Sequence, residues 1–218
     1  MFRQMLYAQW KWSRDMLLFF VVACFATPFG VAWLIVPVMG GATPRQLVRV
    51  GETTGGALLV LALLLGGSIA ALGWIADARS SHVYALTLPV GRRRFLAYRA
   101  FGASCLFLVP ALATWLGGVV LGSQLTLPDA LDLHAATLAW RVLLAATLAH
   151  AVVFAFRYTT GERARPFALA FLLGCGAVGI SMLFFPGIRD DVSRILFALF
   201  RSPGPFGLLT SGWSLIDV

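Results

Sequence analysis

The sequence predicts an all-α, polytopic transmembrane helical bundle with five complete spans and a cytoplasmic N-terminus. Apolar residues make up 60% of the 218 positions and charged residues 12%, whereas an ordinary soluble domain has about 25% charged residues. A soluble fold of this size cannot hide so much apolar surface from water. The apolar residues also lie in long uncharged runs separated by short charged segments. Together these observations predict one membrane domain over residues 1–218.

The N-terminal part predicts a surface helix followed by the first span. Apolar side chains in 1–15 recur at helical spacing and basic side chains share another face, a pattern typical of a helix lying in the membrane interface. The uncharged run that follows, at about 16–38, reaches roughly 34 Å as a helix and can cross a hydrocarbon core of about 30 Å. It is too long for the apolar region of a signal peptide, so we interpret it as an anchor.

Four further uncharged runs predict the remaining spans. They lie at about 54–76, 100–122, 135–156 and 166–187. The fourth reaches spanning length only if Arg141 lies near one end of the helix and snorkels outward along its own stem. Arg141 is therefore also a candidate path-lining residue, because a charge inside a bilayer otherwise needs a partner or water.

The distribution of basic residues predicts the orientation. With five spans, one side of the membrane holds eleven of them: Arg3, Lys11, Arg14, Arg79, Arg92, Arg93, Arg94, Arg99, Arg157, Arg163 and Arg165. The other side holds five: Arg45, Arg49, Arg189, Arg194 and Arg201. The positive-inside rule assigns the richer side, with the N-terminus, to the cytoplasm. Without the fourth span, the basic residues of 157–165 would lie on the outer side, which the positive-inside rule disfavours. We therefore retain the fourth span.

The C-terminal part predicts an outer helix and an incomplete span. Residues 190–201 carry apolar side chains at i, i+3, i+4, i+7 and i+8, which indicates an amphipathic helix on the outer surface or dipping into it. The stretch 213–218 resembles the beginning of a sixth span, but 206–218 is too short to cross. We therefore expect either a truncated form or a five-span variant.

Glycines recur in the second and third spans. They are Gly55, Gly56, Gly66, Gly67, Gly73, Gly117, Gly118 and Gly122. Small residues let helix backbones approach closely in lipid, where the hydrophobic effect does not drive association. We expect these glycines to pack helices within one bundle; a dedicated dimer face is the alternative.

Several site classes are not expected. The net charge of +8 is spread over short clusters rather than one basic face, which argues against nucleic-acid binding. A P-loop needs Gly-Lys-Ser/Thr, but the only lysine, Lys11, follows Trp10. The predicted topology separates His82, His134 and His150, so they cannot share a metal. No catalytic residue, metal or cofactor is expected in this chain.

The segment 77–94 joins the second and third spans on the predicted cytoplasmic side. It contains apolar residues that a solvated hairpin would not need: Val83, Tyr84, Leu86 and Leu88. The residue before Pro89 avoids the helical region, so the chain is extended there. Arg92, Arg93 and Arg94 then fix the start of the third span at the anionic leaflet. The segment is thus predicted to be a docking surface for a partner protein.

Here the chain resembles the type-2 ABC transporter permease family. The resemblance is specific in 77–99, and the N-terminal helix with Lys11-Trp12-Ser13-Arg14 is also similar. The matching residues in 77–99 are Asp77, Arg79, Tyr84, Leu88-Pro89-Val90-Gly91-Arg92-Arg93-Arg94-Phe95 and Arg99. Gly91 departs from the family, whose members commonly have serine or threonine there.

The resemblance implies a bundle of usually six spans that works as a pair in a bacterial cytoplasmic (inner) membrane, above two cytoplasmic ATPase subunits. The second permease subunit would be identical or different, and ATP would be bound by the partner rather than by this chain. Segment 77–94 would be the coupling helix, and 190–201 would match the family's re-entrant helices. The expected coupling residues are Val83, Tyr84, Leu86, Leu88, Pro89, Arg92, Arg93 and Arg94.

Two other functions stay open. One is a non-transporting membrane anchor or regulatory subunit, which the apparent early stop would suit. The other is an intramembrane hydrolase, since Gly179-Ile180-Ser181 faintly resembles a serine protease motif. That motif is followed by Met182 rather than glycine, and no histidine lies C-terminal to it.

Overall fold

The computed structural model describes residues 2–36, 43–79, 91–125, 127–128, 130–160 and 213–217. In chain order, these residues form α1 (Phe2–Ile35), α2 (Pro44–Arg79), α3 (Arg92–Gln124), β1 (Asp132–Leu133), α4 (Ala135–Thr160) and β2 (Ile216–Asp217). They belong to one compact unit, 1–154 with 213–218, except for the end of α4, which belongs to a second unit, 155–212. The prediction of a helical bundle is confirmed, and the two short strands were not predicted.

Among the described residues, four helices are long and apolar enough to cross a membrane, so the chain is a multi-pass membrane protein. The spanning parts are Leu6–Ile35, Pro44–Ile75, Arg94–Gln124 and Ala135–Phe156. Large apolar side chains such as Phe19, Trp33, Phe101 and Trp140 remain exposed on these helices, as expected for surfaces that face lipid. The predicted fifth span at 166–187 and the outer helix at 190–201 lie outside the described residues.

Helix α1 joins the predicted surface helix and the first span without a break. Arg14 and Asp15 point outward and form an exposed ion pair of 3.2 Å, so these charges do not interrupt the helix. The buried Ser13 hydroxyl donates to the Gln9 carbonyl one turn earlier, at 2.7 Å. The helix continues to Ile35, although Pro28 lies inside it and removes one backbone hydrogen bond.

Helix α2 begins before the predicted span. The Thr43 backbone N–H donates to Gln46 Oε1 at 2.9 Å, and the Gln46 backbone N–H donates to Thr43 Oγ1 at 3.4 Å. This reciprocal arrangement is a capping box, and Pro44 suits the first helical position because its missing N–H would have no partner there. The charges that follow do not prevent a helix, so α2 starts ten residues before position 54.

The helices approach one another closely at glycines. Helix α1 packs against α2 and α3, and a Cβ at Gly117 of α3 would lie 2.6 Å from the Phe25 carbonyl oxygen of α1. At Gly66 of α2, a Cβ would overlap the Ala146 carbonyl of α4. Near the start of α3, Gly102 contacts Gln9 of α1 and Arg99 contacts Gly73 of α2, whereas Gly118 near its end contacts Ala135, the first residue of α4. Helices α1 and α3 therefore run in one direction, and α2 and α4 run in the other. We call the end where α1 begins the N-terminal end, and the other the opposite end.

The segment 213–217 lies at the opposite end, against α2. Strand β2 pairs antiparallel with β1, so that Ile216 faces Leu133. The Leu215 N–H donates to the Gly51 carbonyl of α2 at 3.3 Å, and a Cβ at Gly55 would overlap the Trp213 carbonyl. Gly51 and Gly55, one turn apart, therefore form a groove on α2. The backbone of segment 213–217 packs into this groove, rather than a neighbouring helix.

Candidate functional site at the N-terminal end of the bundle

The structure describes both ends of the segment predicted to dock a partner. Helix α2 ends at Arg79, and α3 begins at Arg92. The backbone N–H groups of Arg94 and Phe95 donate to the Gly91 carbonyl at 2.9 and 3.1 Å, and no side chain caps this helix start. The predicted contact residues Val83, Tyr84, Leu86, Leu88 and Pro89 lie outside the described residues.

The predicted arginines occupy the first turn of α3. Arg92 and Arg93 are its first two residues, and the Arg94 side chain is exposed. Positive charge at a helix N-terminus is unfavourable, because the macrodipole is positive there. Helix stability therefore does not account for these three residues. Their predicted position at the anionic leaflet stays a prediction.

Arg99 joins three helices at this end. Its side chain is 6% exposed, and Nη2 donates to the Gly73 carbonyl of α2 at 2.6 Å. The guanidinium carbon lies 5.7 Å from the centre of the Trp12 ring of α1 and 6.0 Å from that of Phe95, which are cation–π distances. We call Arg99, Gly73, Trp12 and Phe95 the arginine clamp.

Gly73 makes room for the clamp. A Cβ at this position would lie 2.7 Å from Arg99 Nη2, so a larger residue would push the guanidinium off the carbonyl. A carbonyl oxygen has two lone pairs and can accept this bond besides its helical one. The sequence predicted Gly73 as a packing glycine and Arg99 as a topology charge and family match, but did not pair them. Their positions just outside the two ends of the 77–94 segment are the signal that could have done so.

His150 occupies the middle of the bundle. It is 2% exposed, with the Phe107 ring edge-on at 5.7 Å and the Phe154 ring stacked at 5.5 Å. The Gly66 backbone lies beside the imidazole. Neither ring nitrogen makes a hydrogen bond of ordinary geometry within the described part of the chain. Sequence reasoning placed His150 in the fourth span but assigned it no role.

Arg141 lies in the second turn of α4. It follows Ala135, the first residue of the helix, by six positions, so it is about 9 Å from the helix start. Its side chain is half-buried, and Nη1 is buried without a hydrogen-bond partner among the described residues. A position this close to the helix end would allow the Arg141 side chain to extend towards the membrane surface. The buried Nη1 atom would instead be satisfied by a polar group inside the bundle. Its role as a path-lining residue stays a prediction.

The described residues contain no group of three histidine, cysteine or acidic side chains that could hold a metal. No family model, curated protein or solved structure matches the chain.

Proposed function

We propose that this chain is the membrane-spanning permease subunit of an ATP-binding-cassette exporter. It would form the translocation path with a second permease subunit and dock a separate ATPase through segment 77–94. Two features support this function: the resemblance of 77–99 to type-2 ABC transporter permeases, and a bundle of long apolar helices. The arginine clamp is the observation that carries the proposal.

The arginine clamp connects the two helix ends that flank segment 77–94. A partner that pushes on this segment acts on the end of α2 and the start of α3. The 2.6 Å bond from Arg99 to Gly73 joins these two ends, and the contact with Trp12 adds α1. Movement of the segment would thus reach three membrane helices together. A simple loop between two spans would not need such a connection.

The direction of the helices supports an odd number of crossings after α4. Helix α4 starts at the opposite end, where Ala135 contacts Gly118, and has passed the midpoint of α2 when His150 meets Gly66. It then continues as a helix to Thr160. Residues 213–217 are back at the opposite end beside β1. An odd number of crossings between these two segments, such as the predicted fifth span at 166–187, would connect the two ends.

The charges support a cytoplasmic N-terminal end. Among the described residues, Arg3, Lys11, Arg14, Arg94 and Arg99 lie towards this end. The opposite end carries Arg45 and Arg49 at the start of α2 and Arg141 in the second turn of α4. The positive-inside rule assigns the first group to the cytoplasm, which is the compartment that contains ATP and would contain the ATPase.

The mechanism follows from coupling two equilibria. The ATPase subunits would move the clamp between two positions as they bind and release ATP. This shifts the membrane helices only if the two nucleotide states of the ATPase prefer different positions, because equal affinity for both shifts nothing. The chain supplies the path and the docking segment, and the partner supplies the nucleotide chemistry.

The test is co-purification of ATPase activity with the tagged chain from membranes of its own host. Tyr84→Ala with Leu86→Ala should abolish the associated ATP hydrolysis while the amount of inserted protein is unchanged. Leu112→Ala with Leu116→Ala is the matched control, since both leucines are exposed on the lipid-facing side of α3. Undiminished hydrolysis with the docking variant, or none with the unchanged chain, would refute the proposal.

A further inference from the structure

A cavity of about 1050 Å³ opens at the opposite end of the bundle. It lies between the end of α1, the start of α2 and the residues before β1. Its apolar lining includes Leu34, Ile35, Val48 and Leu131. The volume is at the upper end of the range for ligand sites, about 300–1,000 Å³. The cavity is therefore large enough for part of a lipid-sized molecule.

Two arginines line the same cavity. Arg45 and Arg49 are one helical turn apart on α2, so their side chains leave the same face. In the part of the chain that the structure describes, neither guanidinium forms an ion pair or a hydrogen bond. Glu52, one turn further along, also lines the cavity and leaves one net positive charge on this face. The polar rim thus favours an anion.

The position of the cavity in the membrane indicates that the ligand also has an apolar part. The arginines lie in the first two turns of a membrane-spanning helix, whereas Leu34 and Ile35 are the last residues of the preceding one. Helix ends of this kind lie at the level of lipid head groups, and the adjoining apolar surface lies at the level of acyl chains. A free phosphate would satisfy the arginines but leave the apolar wall uncovered.

We propose that this cavity binds a single anionic phospholipid from the surrounding leaflet. The phosphate of the head group contacts Arg45 and Arg49, and the first part of an acyl chain covers Leu34, Ile35 and Val48. The guanidinium group suits phosphate because its planar fork can donate two hydrogen bonds. This site requires the membrane location but not the transport function.

Native mass spectrometry of the detergent-purified full chain tests the proposal. The protein is mixed with phosphatidylglycerol or with phosphatidylcholine of the same acyl chains, and the retained lipid is counted. One phosphatidylglycerol should be retained in preference to phosphatidylcholine. Arg45→Gln with Arg49→Gln should weaken retention by roughly tenfold or more, since each basic residue near an anionic surface contributes about fivefold. Val48→Phe, which fills the apolar wall, should also weaken it.

The control removes the same charge elsewhere. Arg3→Gln with Arg14→Gln changes two exposed arginines at the N-terminal end and should leave retention unchanged. If the control variant lost as much retained phosphatidylglycerol as the Arg45 and Arg49 variant, net charge alone would account for lipid binding. If phosphatidylglycerol and phosphatidylcholine were retained equally, the cavity would not select for an anionic head group. If millimolar inorganic phosphate displaced the retained lipid as effectively as added phosphatidylglycerol does, the cavity would bind the phosphate group but not the acyl chain. Each of these three results would overturn the proposal.

Discussion

The Arg99 guanidinium donates a 2.6 Å hydrogen bond to the Gly73 carbonyl and so fastens the start of α3 to the end of α2. These two residues lie just outside the 77–94 segment, one on each side. The contact needs a residue without a side chain at position 73 and a long donor at position 99.

Gly73→Ala should destabilise the protein by about 1–3 kcal/mol, because the buried hydrogen bond from the charged Arg99 side chain to the Gly73 carbonyl is lost. The added methyl would lie 2.7 Å from Arg99 Nη2, and the flexible arginine would move away. Thermal unfolding in detergent measures the effect. Gly56→Ala is the matched control in the same helix, since nothing lies within 4 Å of a Cβ there, and it should have no effect or stabilise slightly. Equal behaviour of the two variants would contradict the clamp.

Arg99→Met should separate docking from coupling, if the chain is an exporter subunit. Methionine keeps an apolar stem near Trp12 and Phe95 but cannot donate to Gly73. We expect the ATPase to co-purify in normal amount while export falls severalfold, because α2 and α3 are no longer tied. Arg99→Lys, which keeps the charge and a donor, should retain part of the activity. Loss of the ATPase with Arg99→Met would indicate a docking role instead.

His150→Leu should leave stability unchanged or raise it. Both imidazole nitrogens lack hydrogen bonds of ordinary geometry among the described residues, so replacing the ring with an apolar side chain of similar volume removes unsatisfied polar atoms. His150→Ala should instead cost about 2–5 kcal/mol through the cavity left between Phe107 and Phe154. Unfolding of both variants is measured under the same conditions. A loss above about 1 kcal/mol with leucine would mean that the nitrogens have a partner, such as an internal water.

Part of this architecture could be predicted from the sequence because uncharged runs of spanning length are physically constrained by the bilayer. The runs at 54–76, 100–122 and 135–156 all fall inside helices of the structure. Helix boundaries were less predictable, since charges such as Arg14 and Asp15 mark where a chain leaves lipid but do not end a helix. The surface helix and the first span were accordingly predicted as separate elements.

The specific contacts could not be predicted, since they depend on partners distant in sequence. Arg94 and Arg99 are the same residue type five positions apart, yet one is exposed and the other is buried against Gly73. Gly55 was expected to pack a helix or a second subunit. It instead contacts the backbone of Trp213, which lies far along the chain and was expected to begin a further span.

Gly55→Ala should release the segment 213–217 from α2. The methyl would overlap the Trp213 carbonyl, and a backbone atom cannot rotate away as a flexible side chain can. We expect a loss of about 1–3 kcal/mol, typical of overpacking a well-packed site. The readout is a membrane-impermeant maleimide on Ser214→Cys, in a background where Cys24, Cys105 and Cys175 are replaced by serine. The Ser214 side chain is 7% exposed, so labelling should be slow when position 55 is glycine and fast in the Gly55→Ala variant. Gly56→Ala, on the adjacent face of α2, should leave the labelling rate unchanged. Equally fast labelling in all three proteins would mean that the segment does not rest in the glycine groove.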